Sequence, residues 1–465
     1  MMMRHTMNDC DIRELKALLG DSVYTDADTL AAHAGDKWHA AAQPHAVVLP
    51  TCTEEVSVLM RFANERGIPV TARGAGVGYV GGCVPVHGGI VLSTARMNRI
   101  LEINPADGVA VAEPGVLTAD LQDACAELGW FYPPDPASRK ESSIGGNIAT
   151  NAGGPRCLKY GVTRAYVLGL QVVLADGRVL DCGGRTHKNK QGFDLVSLFC
   201  GSEGMLGIIT RATLRLIPAP PARAALRASF PQFALCATAV QNVLQGGHLP
   251  CALEITDSFT LRAARAYLGE NALPADANGH IIIELDGQAE AVAAEQAAVA
   301  QILRDTGATE VITAATEDEV EAIWQLRREF SYSLKATGLT KLNEDIVIPR
   351  SKLTQLVDFC EGMQRETGIP VACFGHSGDG NIHTNIMVQK DAEGRDIREP
   401  ADALVHRLFN WVLKNGGSIT GEHGIGLAKA PWFADAVGDT AVAVHRSLKA
   451  ALDPKGILNP GKMGL

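Results

Sequence analysis

Arg73-Gly74-Ala75-Gly76-Val77-Gly78-Tyr79-Val80-Gly81-Gly82 places five glycines in ten residues. Gly76, Gly78 and Gly81 match the spacing G-x-G-x-x-G, and Ile68-Pro69-Val70 before them reads as a strand. In a dinucleotide-binding unit a helix must follow, with its N-terminus facing the pyrophosphate. Here Gly82-Cys83-Val84-Pro85-Val86-His87-Gly88-Gly89 follows, and its glycines and proline forbid a helix. The nicotinamide reading fails. So many glycines still expose backbone N–H groups that can cradle phosphate.

Two further clusters extend that reading. Ser142-Ser143-Ile144-Gly145-Gly146-Asn147-Ile148-Ala149-Thr150-Asn151-Ala152-Gly153-Gly154 carries four Gly, two Asn and several hydroxyls. Gly201-Ser202-Glu203-Gly204-Met205-Leu206-Gly207-Ile208-Ile209 leads into a strand. Three such clusters together point to a long, phosphate-bearing ligand lying along the backbone.

Around them, short apolar runs alternate with helical ones. Residues 11–19 read as a helix stopped by Gly20, and residues 53–66 as a helix capped by Thr53 and ended by Gly67. Residues 46–50, 68–70, 89–92 and 108–112 read as strands, and 119–128 as a helix. An Asp176-Gly177 turn joins two more strands. Pro218-Ala219-Pro220-Pro221 marks a boundary. Beyond it, helices over 289–306 and 317–334 alternate with strands over 281–285 and 345–348. The expected class is α+β. Residues 1–43 form a helical lead-in, 44–219 a first domain, 220–435 a second, and 436–465 a C-terminal segment.

At 465 residues, two or three domains are expected. The formal net charge of −10 and the lack of a long basic block argue against a nucleic-acid partner. The short basic run Arg185 to Lys190 reads as a solvated loop. Eleven cysteines without a C-x-x-C pair exclude zinc ribbons and Cys-ligated iron–sulfur clusters, and read as reduced thiols. No signal-peptide core and no long apolar run is present, so a cytoplasmic protein without a transmembrane segment is expected.

A second kind of chemistry sits downstream. Phe374-Gly375-His376-Ser377-Gly378-Asp379-Gly380-Asn381-Ile382-His383 reads as two strands joined by a tight turn. His376 and His383 would then lie opposite one another, about 5 Å apart at Cβ, a spacing that suits two ligands of one metal ion. Gly421-Glu422-His423-Gly424 supplies a carboxylate and a third imidazole. Either Glu422 completes a His2Glu set with His423 as general base, or the two exchange roles. Arg327 and Ser331 are i and i+4 on one helix face, where an arginine can clamp a carboxylate; Arg328 is an alternative clamp.

With these motifs in order, the chain resembles the vanillyl-alcohol-oxidase (p-cresol methylhydroxylase, PCMH) superfamily of FAD proteins. The resemblance lies with the glycolate oxidase D-subunit, D-lactate dehydrogenase and D-2-hydroxyglutarate dehydrogenase branch, and runs from about Pro44 to the C-terminus. It implies a PCMH-type FAD domain of two α+β subdomains, and an α+β cap domain whose antiparallel sheet roofs the flavin. By position, Arg73, Gly74, Ala75, Gly76, Val77, Gly78, Gly81 and Gly82 would hold the pyrophosphate. Asp135, Ser138, Ser142, Gly145, Gly146 and Asn151 would line the flavin and ribityl chain. Glu203, Gly204, Ile208 and Ile209 would lie near the adenine half or its supporting strand, and Asn459 in a tail that returns to the flavin. Val77 and Val80 stand where the family often has hydroxyls; backbone N–H groups survive that change, so FAD binding is still expected. His87 lies outside any attachment motif, so non-covalent FAD is expected.

The resemblance also implies a divalent metal, most often zinc, on His376, His383 and Glu422, with His423 as base. Arg327, Ser331, Lys341 and Asn385 would contact substrate. The implied reaction is oxidation of a D-2-hydroxy acid of the glycolate, D-lactate or D-2-hydroxyglutarate type to the 2-oxo acid, by hydride transfer to flavin N5. Electrons would leave to a separate iron–sulfur subunit, electron-transfer flavoprotein, quinone, cytochrome or oxygen, with a peripheral place at a membrane through such a partner; the reading leaves room for a homodimer. The rivals are a metal-dependent hydrolase, a flavin-dependent transferase of the same superfamily and a non-catalytic electron-carrying subunit.

Overall fold

A computed structural model describes residues 7–391, 396–397 and 399–465; the first six residues of the expected lead-in lie outside them. The chain divides into two compact units. The first comprises Met1–Gly153, Val162–Ala219 and Glu422–Leu465, the second Gly154–Gly161 and Pro220–Gly421. The division after Ala219 follows the Pro218-Ala219-Pro220-Pro221 cluster, whereas the second unit ends at Gly421 and includes the short segment 154–161.

In the first unit, Asn8 caps the helix Asp9–Leu19 by accepting from the N–H groups of Cys10 and Asp11, and Asp11 returns the bond as a capping box. The helix Thr53–Arg66 matches its expected span, but Cys52 is the N-cap and makes no side-chain bond. Thr53 is the first helical residue, and its hydroxyl instead donates to Gln171 Oε1 (2.8 Å). Gly67 takes the left-handed conformation that ends the helix.

One sheet of this unit is built from β1 (Val23–Tyr24), β2 (Ala46–Val48), β3 (Val70–Arg73) and β4 (Ile90–Ser93), in the order β1-β2-β4-β3. β4 runs parallel to β2 and β3. Val48, Val56, Leu59, Phe62, Val70 and Leu92 share its core. The chain continues through β5 (Ile100–Asn104), β6 (Val109–Ala112), the two-residue β7 (Trp130–Phe131), β8 (Val167–Val173), β9 (Val179–Gly183), β10 (Ile208–Arg215) and the two-residue β11 (Ile217–Pro218). An antiparallel sheet of order β5-β6-β10-β8-β9 forms, and β7 pairs with β11. The second glycine cluster takes regular structure. It opens the helix Ile144–Thr150, capped by Ser143, and Asn151 ends it in the left-handed region.

The second unit is one seven-stranded antiparallel sheet. Its strands are β12 (Ala222–Phe230), β13 (Ala252–Asp257), β14 (Gly279–Gly287), β15 (Glu310–Ala314), β16 (Thr340–Val347), β17 (Val371–His376) and β18 (Asn381–Val388), in the order β15-β12-β14-β13-β17-β18-β16. The helices Ser258–Leu268 and Glu317–Ala336 close one end of one face, where Leu261, Ala264, Ile323 and Phe330 pack on Ala225 and Ile282. The helices Phe233–Gln245 and Leu353–Thr367 lie behind, Cys236 against Gly279 and Cys360 against Cys373. Each of the eleven cysteines is a free thiol. No helix among the described residues is long and apolar enough to cross a membrane.

β17 and β18 are joined by a turn in which Gly380 sits at φ +88° with its missing Cβ aimed at the Ile348 carbonyl oxygen, 2.1 Å from where that atom would lie. Both strain and clash oppose any side chain there. Gly380→Ala is expected to destabilise the second unit by about 2 kcal/mol or more, read as a lowered urea midpoint.

Candidate functional site

Antiparallel pairing matches Phe374 with His383 and His376 with Asn381. The two histidines are therefore not directly opposite, as the motif suggested, but diagonal. A two-residue offset keeps both on the same face. Their ring centroids are 5.4 Å apart, and the Phe374 ring lies 5.8 Å from that of His383. His376 is buried and His383 half-buried.

Beside them, Asp345 on β16 pairs with His383 and is fully buried. It accepts from Gly421 N at its carbonyl (2.9 Å) and at Oδ2 (3.0 Å). Its carboxylate also takes the Thr420 hydroxyl at 3.3 and 3.4 Å. Glu422 is peptide-bonded to Gly421, the last residue of this unit, so its place follows from the backbone that Asp345 holds. One ligand atom each of His376, His383 and Glu422 lies within 4.8 Å of the others. Two imidazoles and a carboxylate so gathered fit a divalent ion that keeps an open position.

Glu254 on β13, absent from any motif, pairs across the sheet with His376. Its Oε1 lies 2.5 Å from His376 Nδ1, and its Oε2 accepts from Arg327 Nε at 2.7 Å. Burial pushes its carboxyl up, but the neighbouring His376 and Arg327 outweigh this and hold it at about 2. The only sequence signal was an acid inside the apolar run Leu253-Glu254-Ile255.

Arg327 also lies over the Phe374 ring, 4.8 Å from its centroid. Arg328 turns away, paired with Glu321 and Gln325 on the exposed side of the same helix. Ser331, one turn after Arg327, accepts from Lys341 Nζ (3.2 Å). Burial, then the charges of Lys335 and Arg327, push Lys341 down to about 8. Asn385 pairs across the sheet with Asn343 and donates to the carbonyls of Ala372 (3.2 Å) and His383 (2.9 Å). The buried Oδ1 atoms of Asn343, Asn381 and Asn385 have no hydrogen-bond partner among the described residues. Three orphaned acceptors on the face that carries the histidines mark a place for a polar ligand or water.

In the first unit, the N–H groups of Ala75, Gly76, Val77, Gly78 and Tyr79 donate to no acceptor among the described residues. Five adjacent free amides on a turn suit a pyrophosphate. A Cβ on Gly74 would meet Ser143 Oγ at 2.7 Å and Gly146 Cα at 3.2 Å, so this loop closes on the helix Ile144–Thr150. The Arg73 guanidinium bonds through Nη1 to Gly35 O (2.5 Å) and to Cys83 Sγ (3.3 Å). Gly81, at φ +71°, packs on Trp38. Asp135 lies 3.6 Å from Arg139, and the Ser138 carbonyl accepts from the N–H groups of Glu141 and Ser142. The Ser142 hydroxyl is 3.2 Å from that of Thr118. Gly145 must be glycine, because a Cβ would strike Pro114 at 2.5 Å. Asn151 Oδ1 accepts from Arg164 N (2.9 Å), and Ile208 and Ile209 are buried in β10.

The side chains of Glu203 and Asn459 have partners within the first unit. Glu203, at φ +49° and buried, accepts from Ile425 N at Oε1 (2.7 Å) and from Gly426 N at Oε2 (2.8 Å). Gly424 leaves room for this carboxylate: a Cβ there would lie 2.5 Å from Oε1. Burial pushes Glu203 up, opposed by those two amides and by Lys462 and Lys429. Leu427 and Ala428 donate to Val80 O (2.8 and 3.1 Å), and the His423 ring sits 5.3 Å from that of Tyr79. Asn459 Nδ2 donates to Gly82 O (3.0 Å) and Glu203 O (2.6 Å). The tail thus ties the glycine loop to the turn that holds the loop after His423. Glu203→Ala strands two buried amides and is expected to cost about 2 to 4 kcal/mol in denaturant unfolding, while FAD per chain stays near one.

The family profile described as FAD binding domain matches residues 44–183, and the one described as FAD linked oxidases, C-terminal domain, matches residues 219–463. The chain is 39% identical over 420 residues to the glycolate oxidase subunit GlcD of Bacillus subtilis, covering 90% of this chain and 89% of that one. It is 32% identical over 461 residues to the D-lactate dehydrogenase of Anaerostipes hadrus (97% and 95% covered). It is 34% identical over 463 residues to the D-2-hydroxyglutarate dehydrogenase of Stutzerimonas stutzeri (97% and 98% covered). Among solved structures, p-cresol methylhydroxylase with substrate bound superposes with a TM-score of 0.78 at 20% identity, covering 98% of this chain and 96% of that one. This last likeness shows the fold alone. With both of its halves matched and relatives aligned along nearly its whole length, the chain belongs to the FAD-linked oxidase family and is an oxidoreductase.

Proposed function

We propose that the protein oxidises a D-2-hydroxy acid, of the glycolate, D-lactate or D-2-hydroxyglutarate type, to the 2-oxo acid with non-covalent FAD as hydride acceptor. The observation that carries this reading is one sheet face on which His376, His383, Arg327, Ser331 and Lys341 converge, with Glu422 beside them. Two cations next to two imidazoles and a carboxylate suit an anionic substrate that also offers a hydroxyl. The names of the relatives agree with that chemistry.

Residues 44–219 and 436–465 serve the cofactor in this reading, and 220–435 the substrate. His376, His383 and Glu422 would hold a divalent ion, zinc in this reading, which when bound supplies Lewis acidity to the substrate's hydroxyl and carboxylate oxygens. Arg327 has Nε committed to Glu254, so its two Nη groups form the edge that grips the substrate carboxylate. Lys341, presented by Ser331, adds a second positive charge, and Asn385 contacts the substrate from the strand beside it. His423 takes the α-hydroxyl proton on a ring nitrogen, and FAD, when bound, would supply the acceptor for the Cα hydride. A separate acceptor would take up the electron pair.

His423→Ala is expected to remain folded and FAD-bound while anaerobic flavin bleaching by substrate slows about 10²- to 10⁴-fold. Bleaching at the wild-type rate would remove His423 from the chemistry. Verified metal removal by a chelator is expected to abolish turnover, with recovery on adding zinc. Lys341 is cationic below pH of about 8 and neutral above it. The KM for the hydroxy acid should therefore rise as pH passes upward through about 8, whereas Lys341→Met should have a raised KM below that pH, converge with wild type above it and lose the rise.

A further inference from the structure

Glu254 is 1% exposed on a central strand, between Leu253 and Ile255, where burial of a carboxylate is costly unless every oxygen is matched. Its two oxygens go to two different side chains. Oε1 is bonded to His376 Nδ1 and Oε2 to Arg327 Nε. A carboxylate on Nδ1 keeps the proton there, so Nε2 carries the lone pair and the ring is held in one orientation. A carboxylate on Nε of an arginine fixes the guanidinium plane and directs both Nη groups the other way, here with the Phe374 ring beneath it.

We propose that Glu254 is a positioning residue that sets the metal ligand His376 and the substrate arginine Arg327 together, so that metal affinity and substrate-carboxylate affinity share one anchor. This rests on the reading of His376 as a ligand and Arg327 as the substrate clamp. Because the anchor is shared, a change at Glu254 moves both affinities, whereas a change that merely loosens the sheet moves stability alone. Glutamine has the same shape but a single acceptor oxygen, so Glu254→Gln can satisfy only one of the two donors and turns an amide NH2 toward the other. Glu254→Asp keeps the charge on a side chain one methylene shorter.

The test uses full-length, FAD-loaded protein stripped of metal and titrated with Zn²⁺ against a chromophoric chelator, followed by steady-state kinetics on D-lactate at saturating zinc. In Glu254→Gln the Kd for zinc is expected to weaken about 10- to 100-fold. Its KM for D-lactate should rise about tenfold in the same protein. Glu254→Asp should fall between Gln and wild type on both scales, and it carries the test if Gln does not fold. Folded, FAD-loaded variants that hold zinc and D-lactate within about twofold of wild type would leave Glu254 a packing residue and overturn the proposal, as would a variant that shifts only one of the two affinities. A wild-type chain that takes up no zinc at all would overturn the proposal together with the metal reading beneath it, and the zinc titration alone distinguishes that failure.

Discussion

Antiparallel register is the constraint on which the second unit's chemistry depends. Side chains alternate between the faces of a strand, so the pairs Phe374–His383 and His376–Asn381 put both imidazoles on one side. A slip of one residue would turn His383 to the opposite face and bring Ile382 in its place. The register is held from three directions. β13 pairs with β17 through Glu254 and His376, β16 pairs with β18 through Asp345 and His383, and the turn at Gly380 lies too close to the Ile348 carbonyl to carry a side chain.

Buried carboxylates then place what the strands cannot. Glu254 orients a histidine and an arginine, Asp345 holds the backbone leading to Glu422, and Glu203 holds the backbone after His423. Each acid is buried, and each carboxylate is matched by more than one donor. A carboxylate with its donors in place forms strong, directional bonds in a low-dielectric setting, whereas one left bare would be severely penalised. The same chemistry that makes these acids expensive makes them good surveyors of loop position.

Much of the fold was legible. The helices Thr53–Arg66, Ala289–Asp305 and Glu317–Ala336 lie within a few residues of the spans expected from periodicity. The missing helix after the glycine loop was decisive against a nicotinamide fold, because proline and glycine act locally. Less legible were features that depend on a distant partner. Thr53 looked like a cap, but its hydroxyl found Gln171 across the first unit. The glycines of the cluster 142–154 disfavour a helix locally, yet Ser143 starts one in it. The resemblance placed Glu203 near the adenine half or its supporting strand, but nothing local showed that its carboxylate serves Ile425 and Gly426, more than two hundred positions away in the chain.

Local spacing alone gave the residue types on offer: the free amides of the glycine loop, two histidines on a hairpin, an arginine and a serine one helical turn apart. Those follow from backbone chirality, side-chain alternation and the special roles of glycine and proline, all of which act over a few residues. Long-range packing made the histidines diagonal neighbours, turned Arg327 and not Arg328 toward them, and let Glu254 join His376 to Arg327. Strand order and register are set by which apolar faces bury together across the whole sheet, and no local window contains that information.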